Sequence, residues 1–325
     1  MKPSCQKEQG KPMLRQFKIN ARLPSPKVPT SRTDPVRAAP LLNKALTSIN
    51  ARYRGINQEM AALFNAIPVR QGNADASNYT YEFNAQRAAQ LSEQLQSILD
   101  KWLLDGYEIN RFWIGATIED SYRQGTMAAQ ANLASMSATY ATERSLSTIL
   151  FSAAYQNRVG IAYASSYSDW KGLSDAARSD LAGIISEGIA AGANPKSVVT
   201  DIATRLDVSR SYARNIAQTE ITGALRQARR DEVDETKAVL GIEIVLLWTS
   251  ALLPTTRQTH AARHGNTYST DDVADFYSKN GNRYRCHCAQ TEALVINGKP
   301  SISEKLNEEY AKEKATWDKS NGEQS

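Results

Sequence analysis

The chain has 325 residues, 41% of them apolar and 22% charged, and a formal net charge of +5. That length is enough for two or three domains with a sizeable core. No apolar run approaches the roughly 20 residues that a bilayer helix needs, and three cysteines are too few for a secreted disulfide framework. The N-terminus is charged but lacks the apolar stretch of a signal peptide, so synthesis in a reducing cytoplasm and no membrane contact are expected.

The charge is uneven. Residues 1–44 hold ten Lys and Arg against Glu8 and Asp34, a balance of +8 that leaves the remainder at −3. Seven of the eleven prolines lie in residues 1–40, where they block both helix and sheet. This segment is expected to be an extended or disordered arm that orders only on a partner. Lys2, Lys7, Lys11, Arg15, Lys18 and Arg22 would contact an acidic surface or nucleic acid. The bland alternative is a solvated leader.

Residues 41–160 read as a first helical domain. Leu41, Leu42, Ala45, Leu46 and Ile49 recur at helical spacing, and a polar break covers Gln71 to Tyr79. A second helix is expected from about Asn84 to Leu104, with Leu91, Leu95 and Leu103 on one face. Tyr107 to Arg158 predicts one helix or two, broken near Gly125 or Asn132, with its Gln and Asn side chains facing solvent or partner subunits. Residues 161–240 read as a second helical domain. Ser174 would cap one helix, Asn194-Pro195 would start a short one ending at Leu206, and a longer one would run from Ser209 to Val239. The arginines of that last helix, Arg214, Arg226, Arg229 and Arg230, read as a solvated face. Glu220 beside its apolar stripe reads as a structural carboxylate paired with Arg214 or Arg257.

Residues 241–300 change register into a small α+β module. Ile242 to Trp248 is a strand, Thr255 or Thr256 caps a helix that Gly265 stops, Arg283 to Cys288 and Glu292 to Ile296 are extended, and Asn297-Gly298 is a turn. Residues 301–325 form a charged helix and tail. The prediction is a mainly α protein with a small α+β C-terminal module, its helical body preceded by an extended N-terminal arm.

All three histidines and two of the three cysteines lie within residues 260–288. His260 and His264 stand one helical turn apart, and Cys286 and Cys288 share one side of an extended segment. One helix face and one strand edge could thus offer two nitrogens and two sulfurs to a tetrahedral zinc ion, with His287 pointing away. Four protein ligands leave no place for water, so such a zinc would be structural. The competing readings are ordinary core histidines with free thiols, or a metal-dependent nuclease drawing on Asp271, Asp272 or Asp275.

These residues resemble the phage Mu protein F-like head-morphogenesis family. The family's helix motif appears as Ile216-Ala217-Gln218-Thr219-Glu220. Trp248, Thr256-Arg257, His260, Gly265 and Cys286-His287-Cys288 follow at matching spacing, over about residues 190–297. The chain departs from the pattern at Leu253, Thr255, His264 and His287, where the family has polar or charged residues. The resemblance assigns structural roles to Glu220, Trp248, Arg257 and Gly265. It implies a non-enzymatic virion protein, present in several copies in the phage head and contacting portal or major capsid protein. It implies involvement in head assembly and in DNA packaging or ejection. The alternatives from other classes are a DNA-acting enzyme and a DNA-binding protein that uses the basic arm.

Overall fold

A computed structural model describes residues 24–71, 79–105 and 111–322 of the chain. Among them it is mainly helical, with a small sheet towards the C-terminus. The basic residues Lys2, Lys7, Lys11, Arg15, Lys18 and Arg22 lie outside the described part.

Helix α1 (Ala39–Asn65) carries Pro40 in its first turn, and the Asp34 carboxylate accepts the amide N–H groups of Ala38 and Ala39 at its start. Two short antiparallel strands follow, β1 (Val69–Gln71) and β2 (Tyr79–Tyr81). Helix α2 (Ala85–Leu103) is capped by Asn84, whose Oδ1 accepts the Arg87 N–H at 2.9 Å. Its stripe of Leu91, Leu95, Leu99 and Leu103 is buried. Then come α3 (Gly115–Met136), the short α4 (Ala138–Glu143) and α5 (Leu146–Leu150), and two long helices, α6 (Ala153–Ala190) and α7 (Pro195–Leu240). Gly241 ends α7 in the left-handed region at φ 64°.

Both long helices run through positions where breaks are expected. Ser174 caps nothing: its hydroxyl donates to Asp100 Oδ1 at 2.7 Å, tying α6 to α2. Ser209 does not restart a helix. Its hydroxyl meets the Tyr53 hydroxyl at 2.8 Å, tying α7 to α1. Polar residues that would cap a free helix are here used between helices.

Nor do Gly125 and Asn132 break α3. A Cβ at Gly125 would collide with the Leu225 carbonyl and the Ala228 side chain, so glycine lets α3 and α7 approach closely. Asn132 is buried rather than solvent-facing. Its amide donates to the Glu292 carbonyl oxygen at 2.8 Å and to Glu292 Oε2 at 2.9 Å.

The C-terminal part is built on an antiparallel sheet of order β4-β3-β5-β6. It comprises β3 (Ile244–Thr249), α8 (Gln258–Ala261), β4 (Thr267–Tyr268), α9 (Thr270–Ser278), β5 (Ala289–Ile296) and β6 (Lys299–Pro300). Asn297 and Gly298, both at positive φ, make the expected tight turn between the last two strands. Strand alternation feeds two cores. Ile244, Leu246 and Trp248 pack with Leu133, Tyr140 and Val233 from the helices, while Leu247 packs with Leu306 and Tyr310 of α10 (Glu304–Gly322).

The described part of the arm is ordered by the chain itself. Val28 packs beside Leu247 and Tyr310, and the Lys27 N–H donates to Asn132 Oδ1 at 2.8 Å. The Arg32 guanidinium stacks on Tyr310 and pairs with Glu309 and Glu313 at 2.7 and 2.8 Å. Residues 24–38 therefore form a strap over the sheet and α10, against the expectation that they wait for a partner.

Candidate functional site

The motif residues converge on the loop between α9 and β5. This loop is not a strand. Asn280, Gly281 and Arg285 have positive φ, and Cys286 to Cys288 enter β5 only at Ala289. Such a backbone needs external support, and it receives it on three sides. Arg257, the N-cap residue of α8, donates to the carbonyls of Gly281, Asn282 and Tyr284 at 2.9 to 3.0 Å. Thr219 Oγ1 on α7 accepts the Arg285 N–H at 3.3 Å. Arg226, one helical turn pair further along α7, donates to the Cys286 carbonyl at 2.9 Å.

Within this clamp lie His260, Cys286 and Cys288, all buried. His260 Nδ1 is 3.4 Å from Cys286 Sγ and 3.5 Å from Cys288 Sγ. The Cys288 N–H points at Cys286 Sγ at 3.3 Å. The Tyr277 hydroxyl accepts from Gln290 Nε2 at 3.0 Å and turns its proton to Cys286 Sγ at 3.4 Å. Trp248 Nε1 donates to the Ser250 hydroxyl at 3.1 Å, and that hydroxyl donates to the His260 carbonyl at 2.6 Å. The imidazole lies edge-on to Phe276, ring centres 4.9 Å apart. All three cluster residues line a pocket of about 330 Å³, with Arg257, Thr255 and Thr256 on its wall.

Charge in this cluster is unequally held. Burial pushes the Cys286 thiol up, but Cys288, the Arg226 guanidinium and His260 outweigh it, so Cys286 falls well below the ordinary thiol range. The hydrogen bond that Cys288 donates to Cys286, and then burial, drive Cys288 well above it.

His264 is not part of this cluster. Helix α8 is only four residues long, and the chain has turned before His264, so the one-face relation to His260 does not apply. His264 Nδ1 accepts the Ser250 N–H at 3.1 Å, Nε2 faces Glu313 Oε2 at 3.1 Å, and the ring stacks on Tyr310. Burial, with Arg32 and Lys314 nearby, lowers its pKa to about 4. Of the four side chains expected to converge, three therefore do. Asp271, Asp272 and Asp275 are exposed on α9. Asp272 closes a capping box with Ser269, and Asp275 pairs with Lys279, so none supplies an acidic ligand beside His260.

Of the residues assigned structural roles, Arg257 and Glu220 reach the loop, Glu220 with a change of partner. Glu220 pairs with neither Arg214 nor Arg257 but lies 3.4 Å from Arg283. Burial and then Asp169 raise its pKa to about 7. Gly265 stands at φ 81°, where a Cβ would press on Tyr310. His287 turns away from the cluster, as expected, and meets Gln218 Nε2 at 2.8 Å.

Residues 180–291 match the family model described as Phage Mu protein F like protein. The matched third of the chain begins in the second half of α6 and contains α7, the cluster and the whole clamp. No curated protein and no solved structure matches the chain.

Sequence reasoning passed over Arg226. Within the run of arginines it reads as solvated, yet it is buried against Cys286 and stacks on Tyr277. A signal was present: Thr219, Thr222, Arg226 and Val233 repeat at helical spacing, a second stripe beside the apolar one.

Proposed function

We propose that this chain is a minor head protein of a tailed bacteriophage, present in several copies and seated against the portal or the inner face of the major capsid protein. The observation that carries the reading is the family match over residues 180–291, with its motif residues converging on one clamp in this chain. Arg257, Thr219 and Glu220 spend their side chains on fixing a loop rather than on opening a reactive cleft, which favours an assembly role over a catalytic one. No helix among the described residues is long and apolar enough to cross a membrane. The six basic residues at positions 2–22 fit an acidic protein surface or packaged DNA, and a part in packaging or ejection belongs to the same reading.

The test is mass spectrometry of purified immature and mature heads from the producing phage. The chain should be recovered with the portal in substoichiometric amount relative to capsid protein, and recovery should resist salt. Its absence from both kinds of head would overturn the proposal. If residues 1–22 contact DNA, binding should weaken steeply with salt and be lost when Lys2, Lys7, Lys11, Arg15 and Lys18 are replaced by Gln.

A further inference from the structure

We infer that His260 Nδ1, Cys286 Sγ and Cys288 Sγ form a three-ligand zinc site whose fourth position opens into the pocket above it. The first argument is metric. A tetrahedral zinc with sulfur at about 2.3 Å and nitrogen at about 2.0 Å sets a sulfur-to-nitrogen edge of about 3.5 Å. The two edges here are 3.4 and 3.5 Å, and all three donor atoms lie within 4.8 Å of one another. The second argument is the donor set. Two thiols and an imidazole select a thiophilic ion over magnesium or calcium.

The third argument concerns what surrounds the donors. His260 Nδ1 has a single lone pair and faces two sulfurs, while Nε2 is buried beside aromatic rings with no hydrogen-bond partner. Hydrogen bonding inside the cluster cannot use that geometry fully, but one ion on the shared face of the three donors can. Around them stands an outer ring that points at sulfur or holds the ligands' backbone: the Cys288 N–H, the Tyr277 hydroxyl and Arg226. Outer partners of this kind orient metal ligands.

Among the described residues no fourth protein ligand joins these three. Ser250 Oγ lies 3.7 Å from Cys288 Sγ, but its hydroxyl is held between Trp248 and the His260 carbonyl. His264 is bound to Ser250 and faces Glu313, and His287 is bound to Gln218. The remaining position faces the pocket walled by Thr255, Thr256 and Arg257. Water fills it, and an anion that Arg257 attracts can replace that water. The ion would join α8 and the loop before β5 at one point. This inference stands independently of any role in the head.

The test uses the full chain, purified without chelator. Elemental analysis should find one zinc per chain. Cobalt(II) in its place should give thiolate-to-cobalt charge transfer and tetrahedral d–d bands. Azide should shift those bands, because the fourth ligand exchanges. Cys286→Ser, Cys288→Ser and His260→Ala should each lose the metal, whereas His264→Ala should keep it. Should the ligand variants fail to fold, the cobalt spectrum of the unmodified chain still decides. Metal-free protein whose Cys286 and Cys288 both alkylate at once, or cobalt spectra without thiolate bands, would overturn the site. Bands that azide does not move would overturn the open position.

Discussion

The helical body and the C-terminal module solve the problem of a core in different ways. In the body, Ile49, Ile56, Leu95, Leu99 and Ile202 meet with no polar atom among their side chains. In the module and its contact with α3 and α7, the buried groups include Arg226, Glu232, Glu292, Asn132 and His260. The body is held by area and shape, which tolerate drift among apolar residues. The module is held by charges and hydrogen bonds that must all be satisfied together, which specifies one arrangement more narrowly.

The sharpest way to break this contrast is at Glu232. It accepts two hydrogen bonds from Arg144 at 2.8 and 2.9 Å and one from the Tyr140 hydroxyl at 2.6 Å. Glu232→Ala leaves a part-buried cation without its anion and should cost about 4 kcal/mol, measured by urea unfolding. In the body, Leu99→Ala should cost about 3 kcal/mol through transfer and cavity alone, with an unchanged denaturant slope. If Leu99→Ala costs more than Glu232→Ala, the contrast fails.

A smaller effect lies in pH. Glu220, raised to about 7 from an ordinary 4.5, binds its proton more tightly folded than unfolded. Stability is therefore greatest below the unfolded value and falls as pH rises from about 4.5 to about 7. Glu220→Gln should raise stability by on the order of 2 kcal/mol at pH near 8, change little at pH near 4, and flatten the profile between. The smallest effect belongs to the surface. Arg70, 82% exposed and 3.3 Å from Glu82, should change stability by less than about 0.5 kcal/mol when replaced by Ala.

What could be read from the sequence divides along the same line. The leucines of α2 declare their helix because burial there is one stripe on one element. The convergence of His260 with the cysteines was legible from clustering, since all three histidines and two of the three cysteines fall within residues 260–288. The place of His264 was not, because the spacing argument assumes a helix that lasts a full turn beyond His260, and α8 ends at Ala261. Ser174 and Ser209 look like caps in sequence. Which hydroxyl serves its own backbone and which reaches Asp100 or Tyr53 is set by packing between distant segments. Arg226 was hidden for a related reason: α7 is buried on two faces, and a charge run discloses only that it is charged.

Helix α7 spans 46 residues, about 69 Å at the usual rise per residue, and supplies side chains to both the apolar body and the polar module. It acts as a common axle. Neither half can swing against the other without bending a helix that packs into both cores. The same axle makes the chain hard to dissect. A fragment cut at residue 180, where the family match starts, would divide α6 and strip α1 and α3 from the faces of α7 that they cover.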